Sequence, residues 1–191
     1  INIDDCANNS CFSSNPNTAS NYNGSLEDYM VNEEYLDRVQ QIVDWAITYN
    51  IVVVLDFHGN NLKQQFIYTF QNEEINGVNY YTSPTSAKRL ADINRFKAIW
   101  RDIANRFKDY SSSSLVFDLI NEPYFSISAD EMNDLNLNLI QLVRSTGSNN
   151  LTRGIIINGG GTSSWQVPFE ISSEVLSSDD YLIATFHYYQ P

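Results

Sequence analysis

"SSSSLVFDLINEPYFSIS", residues 111–128, leads a run of serines into six residues that are apolar except for Asp118, then breaks at Asn121-Glu122-Pro123. The run Leu115–Ile120 reads as a strand covered on both faces, the kind found in parallel sheets. A strand that only had to stop could do so with glycine or serine. This one ends in an amide and a carboxylate. An ionisable group at the rim of an apolar element costs desolvation free energy unless something there uses it. Pro123 cannot donate to a ladder and is expected to help end the strand at Glu122.

The same grammar repeats on either side. Residues 1–31 are dominated by Asn, Ser, Asp and Pro and read as loop. Asn32 is a plausible N-cap for a helix whose apolar face is Leu36, Val39, Val43, Ala46 and Ile47. Ile51–Leu55 is a β-branched strand ending in Asp56-Phe57-His58-Gly59. Asn60 to Lys88 reads as an irregular, aromatic excursion. A helix with Ile93, Phe96, Ile99, Ile103 and Phe107 on one face feeds the strand quoted above. Ser128-x-x-Glu131 is a capping box opening a helix with the stripe Met132, Leu135, Leu139, Leu142 and Val143. Arg153–Asn158 and Tyr181–Phe186 are two further strands. Helices alternating with strands imply parallel crossover units, either an open doubly wound sheet or an eight-stranded α/β barrel. Gly159-Gly160-Gly161 lacks the spacing of a dinucleotide fingerprint.

Composition bounds the function. The 191 residues are enough for one sizeable domain, and a net charge of −12 argues against nucleic acid and against anionic membrane surfaces as partners. No apolar run approaches the roughly 20 residues that cross a bilayer. The chain begins at Ile1 with no charged-then-apolar leader after it, so a signal peptide is not expected within it. Cys6 and Cys11 admit two readings, a small-loop disulfide suited to a secreted protein or two thiols in a loop. Asn150-Leu151-Thr152 matches the N-glycosylation pattern, as chance alone would allow in so Asn-rich a chain.

Both histidines of the chain, His58 and His187, fall just past strand C-termini, as do Asn121, Glu122 and Tyr189. In a parallel barrel those positions converge on one mouth, where such enzymes keep their active sites. Metal binding by His58, His187 and a carboxylate is a minor alternative, because no close-spaced ligand pair exists. No Gly-x-Ser-x-Gly nucleophile signature is present.

"LVFDLINEP" at 115–123 resembles the fourth-strand signature of glycoside hydrolase family 5, retaining β-glycanases that include cellulases and mannanases. "YLDRVQQIVDWAITYNIVVVLDFH" (35–58), "FKAIWRDIANRFKDYSSSSLVFDLINEP" (96–123), "LIQLVRSTGSNNLTRGIIINGGG" (139–161) and "YLIATFHYYQP" (181–191) resemble, in order, other segments of that family's barrel. The resemblance implies a partial (β/α)8 TIM barrel, with parallel strands three to six and their helices. It implies Glu122 as general acid and then base, Asn121 on the sugar 2-hydroxyl, His58 in the same pocket, and His187 with Tyr189 flanking the catalytic carboxylates. A carboxylic acid kept protonated near working pH is what a glycosidic oxygen needs, and partial burial at a strand end can supply it.

Retaining hydrolysis also needs a second carboxylate about 5–5.5 Å from the first. The family places that nucleophile on strand seven, so it is expected to be absent from this chain. Glu170 and Glu174 do not substitute, since they lie in a polar loop without strand character. The expectation is therefore the central portion, residues 1–191, of one catalytic barrel. Its other strands would come from the same polypeptide or a complementary chain, and the piece alone would be inactive and self-associating. The substrate is expected to be a β-linked polysaccharide, a β-1,4-linked glucan or related hemicellulose attacked by an endo-acting enzyme, cut outside the cell without any cofactor. An inactive carbohydrate-binding half-barrel is the alternative. Trp165 is the best sugar platform, with Tyr68, Tyr80, Tyr81 and Tyr124 as further ring candidates.

Overall fold

Helix α1, Glu33–Thr48, starts where Asn32 accepts a hydrogen bond from the Tyr35 amide, with Glu33 and Glu34 at the positive end of the helix dipole. Its buried face is Leu36, Val39 and Val43. A computed structural model describes residues 25–59, 62–63, 74–75, 78–79, 87–123, 125, 127–160 and 167–188. Within them the elements continue as β1 Val53–Asp56, β2 Glu74–Ile75, β3 Val78–Asn79, α2 Ala87–Phe107, β4 Leu115–Asp118, α3 Ala129–Ser145, β5 Ile155–Ile157, α4 Val167–Glu170, α5 Ser173–Ser177 and β6 Leu182–Ala184. The capping box is formed as expected, Ser128 accepting from the Glu131 amide and Glu131 reaching back to the Ser128 amide.

The main sheet runs β1-β4-β5-β6 and every pair is parallel. Each new strand adds on the same side of its predecessor. An open doubly wound sheet reverses its order at a switch point, and no reversal occurs among the described strands, as a barrel requires. Period-two alternation divides the faces. Leu55, Phe117, Ile155 and Ile157 are buried in the core with the helices. Phe57 meets Phe96 at 4.7 Å and Trp100 meets Phe117 at 5.4 Å between ring centroids, which locks α2 onto the sheet. The opposite face carries Val54, Asp56, Val116, Asp118 and Ile183, with Val54 and Ile183 nearly half exposed. That is the face a closed barrel turns inward.

Several expectations need correction. The quoted strand leaves the regular ladder at Asp118, although Leu119 and Asn121 still donate to Ile156 O and Phe57 O. What ends it is Glu122, whose φ of +41° turns the chain before Pro123 is reached. The stretch before Asn32 is not all loop: Leu26–Asp28 is a 3-10 turn, and Arg101 donates to Leu26 O and Tyr29 O while Val31 N donates to Asp102. The 60–88 excursion contains the antiparallel pair β2–β3. Glu170 and Glu174 sit in short helices, α4 and α5, not in loop. Asn150 is fully buried and donates to Ala104 O, so in the folded chain it accepts no glycan.

Candidate active site

Four short peptide segments converge past the C-terminal ends of the parallel strands. After β1, Phe57 N donates to Asp118 O and carries the sheet one residue further, presenting His58. His58 Nδ1 lies 3.2 Å from Asp56 Oδ2, which fixes the Nδ1–H tautomer in the neutral ring. Gly59 then reverses the chain at φ +50°. A side chain there would put its Cβ 2.1 Å from the Phe57 ring. The reversal returns Lys63, whose amide donates to Gly59 O at 2.8 Å and whose Nζ donates to Asn121 O at 2.7 Å.

The end of the quoted stretch is pinned from several sides. Trp100 Nε1 donates to Leu119 O at 2.9 Å, from α2. Asn158 Nδ2, just past β5, donates to Ile120 O at 2.5 Å, and Asn136 Nδ2 on α3 donates to Asn158 O at 2.8 Å. Asn121 N donates to Phe57 O. Past this clamp Glu122 takes its left-handed conformation, and its Oε1 shares a short hydrogen bond with His187 Nδ1. Thr185 N donates to Ile157 O, which extends β6 toward His187. The Glu122 and His187 side chains are each about one-third exposed, open enough for a substrate to reach.

Asp56 and Asp118 stand opposite each other in the β1–β4 register. Burial pushes the Asp118 carboxyl up to about 7, the Asp56 charge adds to this, and His187 and a backbone hydrogen bond at Ile120 oppose it. One oxygen of each of these carboxylates is buried without a hydrogen bond. Among the described residues, no three His, Cys, Asp or Glu side chains converge as a metal ion would require.

Of the residues singled out in the sequence, Glu122 and His187 are in contact, and Asn121 and His58 flank them through the backbone bond to Phe57. Trp165 and Tyr189 lie outside the described residues, as do Tyr68, Tyr80, Tyr81, Tyr124, Cys6 and Cys11. Sequence reasoning missed Lys63, Asn158 and Asp118. An Asp inside an apolar run was a readable signal for the last. Lys63 and Asn158 act on backbone carbonyls distant in the chain, which no local pattern encodes.

The cellulase family, glycosyl hydrolase family 5, has a sequence profile that matches residues 14–191. The chain belongs to glycosyl hydrolase family 5. It is 33% identical over 163 residues to Endoglucanase H of Acetivibrio thermocellus, covering 85% of this chain and 15% of that protein. It is 28% identical over 189 residues to Endoglucanase A of Paenibacillus barcinonensis, covering 90% of this chain and 44% of that protein. Among solved structures, a tri-modular GH5 (subfamily 4) endo-β-1,4-glucanase from Bacillus licheniformis complexed with cellotetraose superposes with a TM-score of 0.69 at 27% identity, over 90% of this chain and 29% of that one. This family 5 chain thus spans less than half the length of each of these relatives. Its four-stranded sheet with flanking helices is part of a (β/α)8 barrel.

Proposed function

We propose that the protein carrying this chain is a retaining β-glycosidase, an endo-β-1,4-glucanase, in which residues 1–191 are the central portion of the catalytic barrel. The observation that carries the reading is the Glu122 carboxylate, turned out of the strand end at φ +41° onto His187 at the mouth of a family 5 sheet. Relatives named endoglucanases support the substrate class.

In the first step a carboxylate from outside this chain, on barrel strand seven, attacks the anomeric carbon. The bond to the leaving oxygen breaks, and Glu122 gives that oxygen its proton. In the second, the Glu122 carboxylate takes a proton from water as its oxygen attacks the same carbon, expelling the first carboxylate. His187 holds Glu122 by a hydrogen bond from Nδ1–H to Oε1 in both protonation states, which leaves the acid's one proton on Oε2 for the leaving oxygen. Asn121 and His58 supply polar contacts to the sugar before the cut, Tyr189 flanks the carboxylates, and Trp165 offers a flat ring for stacking. Polymeric glucan does not enter cells, which favours a secreted enzyme. The chemistry needs two carboxylates and water, and no cofactor.

The test is Glu122→Gln in the full-length protein. Amide nitrogen cannot protonate the leaving oxygen, so hydrolysis of unactivated β-glucan should fall by about 10²–10⁴-fold at unchanged thermal stability. Retained activity would refute the assignment.

A further inference from the structure

We infer that Lys63 is a positioning residue for Glu122: its buried ammonium clips the backbone on which the acid/base stands. The inference rests on Glu122 being the acid/base. Three observations carry it. Lys63 is buried, and its Nζ donates to Asn121 O at 2.7 Å with Glu122 O at 3.5 Å, so one cation spans the two carbonyls that flank the turn. Glu122 is a non-glycine residue at φ +41°, a conformation that persists only where surrounding contacts over-determine it. Asn158 holds the preceding carbonyl, Ile120 O, so consecutive carbonyls from 120 to 122 face fixed donors instead of a neighbouring strand.

The chemistry explains why a cation stands there. Leaving the β-ladder at Asp118 deprives the following carbonyls of regular strand partners, and a buried carbonyl without a donor is costly. An ammonium has three donors on one atom and can serve two adjacent carbonyls at once, whereas a single amide N–H serves one. Lys63 is itself seated by its amide bond to Gly59 O, directly after His58. The segment that presents His58 to the sugar pocket therefore also sets the backbone of Glu122. Without the clip the turn relaxes toward φ below zero, and the carboxyl swings off His187 and off the glycosidic oxygen.

A displaced general acid leaves a specific signature, because proton donation matters most when the leaving group is poor. In the full-length enzyme, kcat/KM would be compared on two aryl β-glycosides of a sugar the wild type cleaves, with phenol and with 2,4-dinitrophenol as leaving groups. Lys63→Met should lower the phenyl rate by about 30-fold or more and the dinitrophenyl rate by less than about 3-fold, a fraction of the whole acid contribution. Lys63→Gln, which keeps a donor, should recover part of the phenyl rate. Equal losses on both substrates, or no loss, would overturn the inference. If Lys63→Met does not fold, Lys63→Gln carries the same comparison, and failure of both to fold would make Lys63 a packing residue and overturn it as well. Glu122→Gln serves as the reference. If it lacks the leaving-group signature, the acid/base reading falls; if it has the signature and the Lys63 variants do not, only this inference falls.

Discussion

At the residue scale the decisive feature is one backbone angle. Left-handed φ costs a residue with a Cβ on the order of 1 kcal/mol, and Glu122 sits there at +41°. The usual ranking of alanine over glycine should therefore invert. Glu122→Gly should be more stable than Glu122→Ala by about 1 kcal/mol in chemical denaturation, since glycine alone adopts this angle without penalty. The opposite order would mean the turn is unstrained. Asp118 supplies a second test. Its carboxyl is raised to about 7 in the folded chain against about 3.9 in unfolded peptides. The folded state then binds the proton more tightly, so the stabilisation is full below about pH 4, shrinks as pH rises, and is gone by about pH 7. Asp118→Asn should flatten that slope, read as the difference between unfolding curves at pH 4.5 and 7. An unchanged slope would assign the pH dependence to other groups. Asp118 was visible in the sequence as a lone acid in an apolar run. Its raised pKa was not, because that comes first from burial in the folded chain, with the charge of Asp56 across the β1–β4 register adding to it.

At the element scale the pattern of apolar residues carried most of the information. The period of 3.6 located the faces of α1, α2 and α3, and the capping residues Asn32 and Ser128 marked two starts. Strand ends were less legible. The sequence reading extended the quoted strand to Ile120, and hydrophobicity could not reveal that regular pairing stops at Asp118. Nor could it reveal the joint beneath β5. Arg153, read as an ordinary first residue of a strand, is fully buried and donates to Phe107 O, Tyr110 O and Leu115 O, with Asn150 Oδ1 accepting from its Nε. Its guanidinium also lies 4.8 Å from the Phe117 ring. It ties the end of α2 and the start of β4 to the approach of β5. Burial lowers its pKa only to about 10, so it stays charged at neutral pH. Arg153→Leu should destabilise by about 3–5 kcal/mol, because several buried carbonyls lose their donor together at about 1–3 kcal/mol each. A loss under 1 kcal/mol in denaturant titration would contradict this account of the joint.

At the scale of the whole molecule, the sheet's second face is the informative one. Val54 and Ile183 are nearly half exposed on the side where a barrel places its interior, beside Asp56 and Asp118. The isolated 191-residue chain should therefore self-associate in sedimentation and leave β-glucan uncut, whereas the full-length protein should be monodisperse. A stable, monodisperse isolated chain would contradict the proposed half-barrel. Alternating helices and strands left an open doubly wound sheet and a barrel both possible, and it was the resemblance of several segments, in order, to family 5 that implied the barrel. The central claim is that Glu122 is the acid/base, with its nucleophile elsewhere in the barrel. The most direct measurement is azide rescue of full-length Glu122→Ala on a 2,4-dinitrophenyl β-glycoside, with the product's anomeric configuration read by NMR. Azide needs no general base to attack the glycosyl-enzyme, so the account predicts faster turnover and a β-glycosyl azide. An α-glycosyl azide would make Glu122 the nucleophile, and turnover unaffected by azide would remove it from the chemistry.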